Sequence, residues 1–371
     1  MKRFEQLDVL RGLAALSVII SHTLAIFYLP GLLLEVSPLY IFWASHEAVI
    51  FFFTLSGFVL ALSIINKKDS YKHYIIKRLF RIYVPYLVCI VFTFSCYYLF
   101  ANKNNFSSLG AWIESKWQKD PNSIDLINHL LLIPNFDTTH YNPVIWSLVH
   151  ELRISIIFPL IILALLKYSH KKVLIGALIV SIISIFMNYI GLLPSKGYHT
   201  SIFDTTHYVL MFVVGAILAL NVEKITEIWN KQTPKIKLFL FIIGITLYIY
   251  SRAIYLVPSL LGFKKLYNVF YYFSDWGILL GSAIIIICAI QSKRLTKLLG
   301  NKAFVTNGQL SYSTYLYHTI IFLTVISVFR GKLSDDLIIL ISIVLTYIIS
   351  YLSFKFIEIP SIKLGRKVIK K

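Results

Sequence analysis

Ten stretches of some twenty mostly apolar residues follow one another along this 371-residue chain. They lie near 7–29, 40–65, 79–101, 142–166, 172–193, 205–221, 235–257, 269–290, 309–329 and 336–357. A helix needs about 20 such residues, at about 1.5 Å each, to cross the hydrocarbon core of a bilayer. Inside that core each backbone N–H and C=O must be satisfied within the protein, which leaves helices or closed barrels. The chain therefore reads as all-α, a polytopic membrane bundle of about ten transmembrane helices. Composition agrees: 57% of residues are hydrophobic and 14% charged, where a soluble domain has about 25% charged.

The net charge of +19 does not point to nucleic acid, because the cations are sorted by loop. One alternate set of loops, with both termini, carries 24 Lys and Arg; the other set carries 8. That asymmetry is the positive-inside pattern and places both termini in the cytoplasm. Cys89, Cys96 and Cys288 fall within predicted helices with no metal-ligand spacing, so they read as small buried hydrophobes, and no metal is expected. The first run is long and carries Arg11 inside it, unlike a cleaved signal peptide. Residues 1–371 read as one membrane domain, with no appended soluble domain expected. The long connection 102–141 contains Trp112, Trp117 and "IDLINHLLLIP", a run too short to span, which reads as interfacial or re-entrant. The two tryptophans read as interfacial anchors or, alternatively, as platforms for a sugar.

Ionisable residues inside such runs are costly and mark function by default. Arg11 and His22 are eleven positions apart, about three helical turns, so they share one face with ~16 Å of rise between them. Taken singly, Arg11 reads equally as a snorkelling flank residue and His22 as a core histidine bonded to a neighbouring helix. Arg78 and Arg81, at i and i+3, point together and suit an anion cradle, or simply set topology. Glu151 lies ~14 Å along a helix entering from the other side, at a depth compatible with His22. A carboxylate there would orient the imidazole as a general base; an ion pair with Arg153 is the bland alternative. Ser147 shares the face of Glu151. In "FFFTLSGFVL", Ser56 lacks a nucleophile elbow, and Gly57 suits close helix packing. "GQLSYSTYLYHTII" lines up Tyr312, Tyr315 and His318 as a polar stripe.

These segments together resemble the membrane acyltransferase-3 family, which includes bacterial surface-carbohydrate O-acetyltransferases. "LDVLRGLAALSVIISHT" is similar to its opening Arg/His helix, "FFFTLSGF" to FF-x-x-SGF, and "KRLFRIYVPY" to R-x-x-R-I-x-P. "IWSLVHE" is similar to W-S-L-x-x-E, "SYSTYLYH" to the late Tyr/His helix, and "FIEIP" to the closing Glu-x-Pro. The segments run in family order from residue 7 to 360. Ile50 departs from the pattern, since many members carry a polar residue there.

The resemblance implies an integral-membrane O-acyltransferase of the bacterial cytoplasmic (inner) membrane. It implies acetyl-CoA or another acyl-CoA as donor, with no permanently bound cofactor, and a hydroxyl of a surface polysaccharide or lipid-linked glycan as acceptor. Arg11, Arg78 and Arg81 would then engage the coenzyme A phosphates. His22 and Glu151 would be catalytic, while Trp146, Ser147, Tyr312, Tyr315 and His318 would contact substrate. The expected mechanism has His22, oriented by Glu151, deprotonating the acceptor hydroxyl; an acyl-histidine route is the alternative. Two rivals remain: a proton-coupled transporter of an anionic metabolite, and a subunit of a glycan-assembly complex without chemistry of its own.

Overall fold

The structure is a computed structural model, and it describes residues 4–27, 37–67, 69–101, 106, 109–263, 266–292 and 300–370. Among these residues ten helices are long and apolar enough to cross a membrane. They are α1 (Glu5–Ile26), α2 (Ser45–Ile65), α3 (Tyr71–Phe100), α4 (Pro143–Lys167), α5 (His170–Tyr189), α6 (Ile202–Leu220), α7 (Pro234–Pro258), α8 (Tyr267–Gln291), α9 (Lys302–Phe329) and α10 (Asp335–Ile369). Each matches one predicted run. Residues 28 and 29, the end of the first predicted run, lie outside the described residues. The three cysteines are buried free thiols, as expected.

Local chemistry sets where the helices begin. Ser70, Ser169, Ser201, Thr233 and Asn301 each accept a bond from an orphan backbone N–H of the first turn. Ser201 and Asp204 form a reciprocal capping box at the start of α6. Two starts are earlier than the hydropathy suggested: α3 at Tyr71 rather than 79, and α9 at Lys302 rather than 309. Conversely, α2 begins only at Ser45, after a short 3₁₀ turn over Pro38–Phe42.

Pro159 lies inside α4, and two further helices pass their prolines through a π-helical turn. In α3 a π-helical turn over Leu79–Tyr83 comes just before Pro85. In α10 another, Phe354–Glu358, comes just before Pro360, and the helix continues instead of stopping near 357. Proline lacks an N–H and crowds the carbonyl four residues back, and the widened turn absorbs both defects. The residues beyond the second turn pack on the first: the Ser361 hydroxyl donates to the Phe80 carbonyl, and Gly365 lies against the Phe80 ring. Each turn also carries an ionisable residue of the cavity lining, Arg81 exposed and Glu358 buried.

Helix α9 forms the centre, flanked by α1, while α5, α7 and α10 turn apolar side chains outward. Gly57 permits a close approach of α2 and α6, since a Cβ there would sit 2.2 Å from the Phe212 carbonyl oxygen, and Gly215 of α6 meets the Thr54 carbonyl oxygen as closely from the other side. Close packing, rather than a reactive Ser56, is thus the role of this segment. In the long connection, Ser123–Leu131 forms a helix started by an Asn122/Asp125 capping box. Nine residues are too few to cross, and Ile124, Ile127, Leu130 and Leu131 are exposed along it, as an interfacial helix requires. Tyr83 and Tyr86 of α3 donate to its Leu130 and His129 carbonyls at 2.6 and 2.5 Å. Trp117 neither anchors nor stacks on a sugar: it is fully buried, and its indole N–H donates to the Tyr141 carbonyl at 3.3 Å.

Candidate active site

The polar stripe of α1 faces two adjoining cavities. Arg11 lines the one nearer the chain termini, with Arg78 and Arg81 of α3, Glu151 of α4, Tyr312 of α9 and Glu358 of α10. His22 lines the other, toward the opposite face, with His46, Trp112, Lys116, Trp146 and Arg252 among its walls. Val49 and Tyr315 belong to both linings, so they form the partition. Arg11 and His22 share a stripe of α1 but open onto separate cavities, joined only at this partition.

The three arginines are not equivalent. Arg78 is buried and committed: it donates to Ser155 Oγ at 2.9 and 3.3 Å and to Glu151 Oε1 at 3.1 Å. Arg11 is half-buried and pairs with Asp8 at 3.1 Å. Arg81 is exposed, at the mouth. Glu358 lies within electrostatic range of Arg81 and Arg11 and accepts from Ser313 Oγ at 3.2 Å. Three guanidinium groups and two carboxylates leave the cavity lining one positive charge in excess. Its volume is about 90 Å³, well under the ~300–1,000 Å³ usual for small-molecule sites. It is too tight for a bulky polyanion and suits only a thin arm.

Glu151 does not orient His22. Its carboxylate accepts from Arg78 and, at 3.4 Å, from Ser56 Oγ, so it belongs to the arginine cavity. Arg153 does not neutralise it either. That guanidinium clamps the connections of the far face, donating to the carbonyls of Ile133, Pro134, Thr200 and Ser201 and to Thr205 Oγ1. The expectation that Glu151 lies level with His22 is therefore not met: it lines the cavity of Arg11 and Arg78, and helix periodicity alone does not say which neighbouring helix a side chain meets.

The partner of His22 is another histidine. His22 Nδ1 lies 2.8 Å from His318 Nε2, and the rings are nearly parallel. His318 Nδ1 lies 2.8 Å from the Tyr315 carbonyl and 3.2 Å from that of Thr314. A carbonyl only accepts, so His318 Nδ1 carries the proton and its Nε2 presents a lone pair. His22 Nδ1–H must then donate to that lone pair, which leaves His22 Nε2 as a proton acceptor. Trp112 stacks on the other side of His22, with ring centroids 4.5 Å apart. His318 is fully buried behind His22 and does not line the chamber as a substrate contact would.

Lys116 extends this stack, its ammonium 5.2 Å from the centre of the Trp112 ring. Burial pulls its pKa down from the usual lysine range to about 8, with Asp137 opposing. Tyr315 exchanges a 2.8 Å hydrogen bond with Ser147, and its hydroxyl lies 3.1 Å from the Val144 carbonyl. Trp146 lines the His22 chamber, and Tyr312 faces the arginine cavity while donating to the Ile82 carbonyl at 2.7 Å.

The sequence reading passed over a buried network on the far half. His46 Nε2 and His207 Nε2 lie 2.6 and 3.2 Å from the two oxygens of Asp275, and Tyr271 donates to His46 Nδ1 at 3.0 Å. Glu47, Asp275 and Arg252 were legible by the same signal that singled out Arg11, an ionisable residue within an apolar run. Among the described residues, no three His, Cys, Asp or Glu side chains converge as a metal site would require.

O-acetyltransferase OatA of Staphylococcus aureus (strain NCTC 8325 / PS 47) is 26% identical over 378 residues, covering 97% of this chain and 57% of its own length. A putative O-acetyltransferase of Staphylococcus aureus (strain COL) is 25% identical over 387 residues, covering all of this chain and 59% of its own. The chain thus spans somewhat under three fifths of the curated relatives it matches. No solved structure matches it significantly. The family model for the acyltransferase domain matches residues 4–355. With ten membrane-length helices around two joined polar cavities, the chain is a multi-pass membrane protein that belongs to this acyltransferase family.

Proposed function

We propose that the protein is an O-acetyltransferase that takes an acetyl group from acetyl-CoA at the arginine cavity and gives it to a carbohydrate hydroxyl in the His22 chamber. The relatives' O-acetyltransferase names support acetyl transfer to oxygen. The observation that carries the reading is the partition: arginines lie on one side of Val49 and Tyr315, and a histidine with one free ring nitrogen lies on the other. The basic loops support a cytoplasmic arginine cavity, where acyl-CoA would be met, and a His22 chamber in the outer half of the inner membrane.

Arg81, at the mouth, meets the donor phosphates first, and Arg11 stands deeper. Arg78 is already paired with Glu151, so its role is to hold that carboxylate and the cavity wall. The pantetheine arm passes the Val49–Tyr315 partition only after the Tyr315–Ser147 bond opens, bringing the thioester carbonyl to His22. His22 Nε2 then takes the proton of the acceptor hydroxyl as its oxygen bonds to the acetyl carbon. Collapse of the tetrahedral intermediate breaks the C–S bond, and the departing thiolate recovers the proton from His22, yielding ester and free thiol. The Trp112 face against the imidazole favours the transient imidazolium. His318 fixes the tautomer in place of the expected Glu151.

The test is purified protein in lipid nanodiscs with [¹⁴C]acetyl-CoA and a cell-envelope glycan fraction. Label transferred to glycan with release of free thiol supports the reading. Uptake of an anion without covalent change would instead support transport.

A further inference from the structure

Three cavities of the far half meet at one side chain that no step of the acyl transfer uses. Arg252, near the end of α7, lines the His22 chamber of about 340 Å³, a neighbouring basin of about 800 Å³ and a third cavity of about 300 Å³. An arginine within a membrane-spanning segment is expensive, and the structure does not fully satisfy this one. Its Nη1 lies 3.9 Å from Glu47 Oε2, beyond hydrogen-bond range, and the Glu47 oxygens lie 3.2 Å from the Tyr40 hydroxyl. Its Nε–H is buried with no acceptor. The guanidinium carbon sits 5.2 Å from the centre of the Tyr271 ring and 5.9 Å from that of Tyr255. The charge is thus steadied by Glu47, the Tyr40 hydroxyl and aromatic faces, while the buried Nε–H has no acceptor.

A guanidinium with a free donor takes oxyanions, carboxylate or phosphate. The basin that opens onto it has the polar side chains Asn188, Ser195 and Asn268 together with the aromatic rings of Tyr198 and Tyr267, a lining suited to a sugar. Tyr198 and Arg252 line both the basin and the His22 chamber, so a molecule in the basin touches the chamber's wall.

We infer that Arg252 anchors an acceptor subsite for an acidic saccharide, gripping a carboxylate or phosphate on the glycan while a nearby hydroxyl reaches His22. The inference rests on reading the His22 chamber as the acceptor side. It assigns this protein a preference for anionic over neutral sugars, set by one residue outside the transfer machinery.

The test uses the full chain in nanodiscs and three probes: p-nitrophenyl β-D-glucuronide, glucose 6-phosphate and p-nitrophenyl β-D-glucoside. Binding is followed by microscale thermophoresis. The parent should bind the better of the two charged probes at least tenfold more tightly than the glucoside, and whichever charged probe wins identifies carboxylate or phosphate as the group gripped. Arg252→Met should reduce the preference to within twofold, leaving glucoside binding unchanged. If that variant does not fold, Arg252→Lys, which keeps the charge and loses the fork, decides by a fall of threefold or more. Equal binding of charged and neutral probes by the parent, or an undiminished preference in the variants, overturns the subsite. Absence of thiol release from acetyl-CoA alongside an intact preference would sink acyl transfer and leave the subsite standing.

Discussion

The two cavities on either side of Val49 and Tyr315 solve opposite problems. The arginine cavity is small and internally paired, with Arg78 on Glu151, Arg11 on Asp8 and Glu358 close to Arg81. The His22 chamber is larger, continues into a still larger basin, and holds groups with spare capacity, namely His22 Nε2 and Arg252 Nε. A buried cation survives by being paired, and a paired cation binds an external anion less strongly. On the proposed reading, recognition of a polyanion falls to the exposed Arg81, while the deeper arginines shape the passage. Chemistry needs an uncommitted lone pair, which the far chamber supplies by stacking one histidine behind another.

Breaking the chemical side should have the largest effect. His22→Ala should lower transfer by ~10²–10⁴-fold with acetyl-CoA affinity within twofold of the parent, as read from single-turnover rates and donor titration. Unchanged turnover would remove His22 from the mechanism. His318→Ala should cost less, about 10²-fold in kcat, because the base survives but its tautomer is no longer imposed. If acceptor KM rises instead while kcat holds, His318 contacts substrate after all.

On the arginine side, Arg81→Ala should weaken donor binding about tenfold, the value of one charge-assisted contact, and flatten its dependence on salt. Arg78→Ala should instead lower thermal stability, since it leaves the Glu151 carboxylate without its cation, and Arg78→Ala with Glu151→Gln should recover much of that loss. Equal donor-binding losses for Arg78 and Arg81 would erase the distinction between a structural and a recognising arginine.

The smallest effect concerns Lys116. Its pKa is lowered to about 8 from the ordinary 10.5, so below pH 8 the folded protein carries a buried charge that the unfolded chain keeps in water. Between about 8 and 10.5 only the unfolded state holds the proton, so stability attributable to this group rises with pH. Lys116→Met should melt a few degrees higher than the parent at pH 7, with the gap closing toward pH 10. A gap independent of pH would mean that packing, not charge, sets it.

Much of the fold was legible because lipid imposes one-dimensional rules. Every predicted apolar run became a helix, and the shared stripe of Arg11 and His22 followed from 100° per residue alone. The ends were less legible: the run expected to stop near 357 continues past Pro360 through a π turn, and the residues beyond it pack on the π turn before Pro85. Within the site, Ser147, Glu151, Tyr312 and Tyr315 were rightly expected to face the interior. The pairing of Glu151 with His22 was not found: Glu151 meets Arg78 in the other cavity, a choice that position along one helix cannot make. Trp117 shows the same limit, buried where composition suggested an interface.

The sequence by itself determined that this chain lives in a membrane as a helical bundle, and which residues pay the cost of being polar there. Hydropathy and helical period are summed along the chain, so they need no knowledge of neighbours. Only the tertiary structure decided which of those polar residues satisfy one another: Glu151 with Arg78, His22 with His318, His46 with Asp275, and Arg252 with a donor to spare. Those choices depend on how helices far apart in the chain rotate and pack, and a difference of one helical face separates a paired charge from a free one.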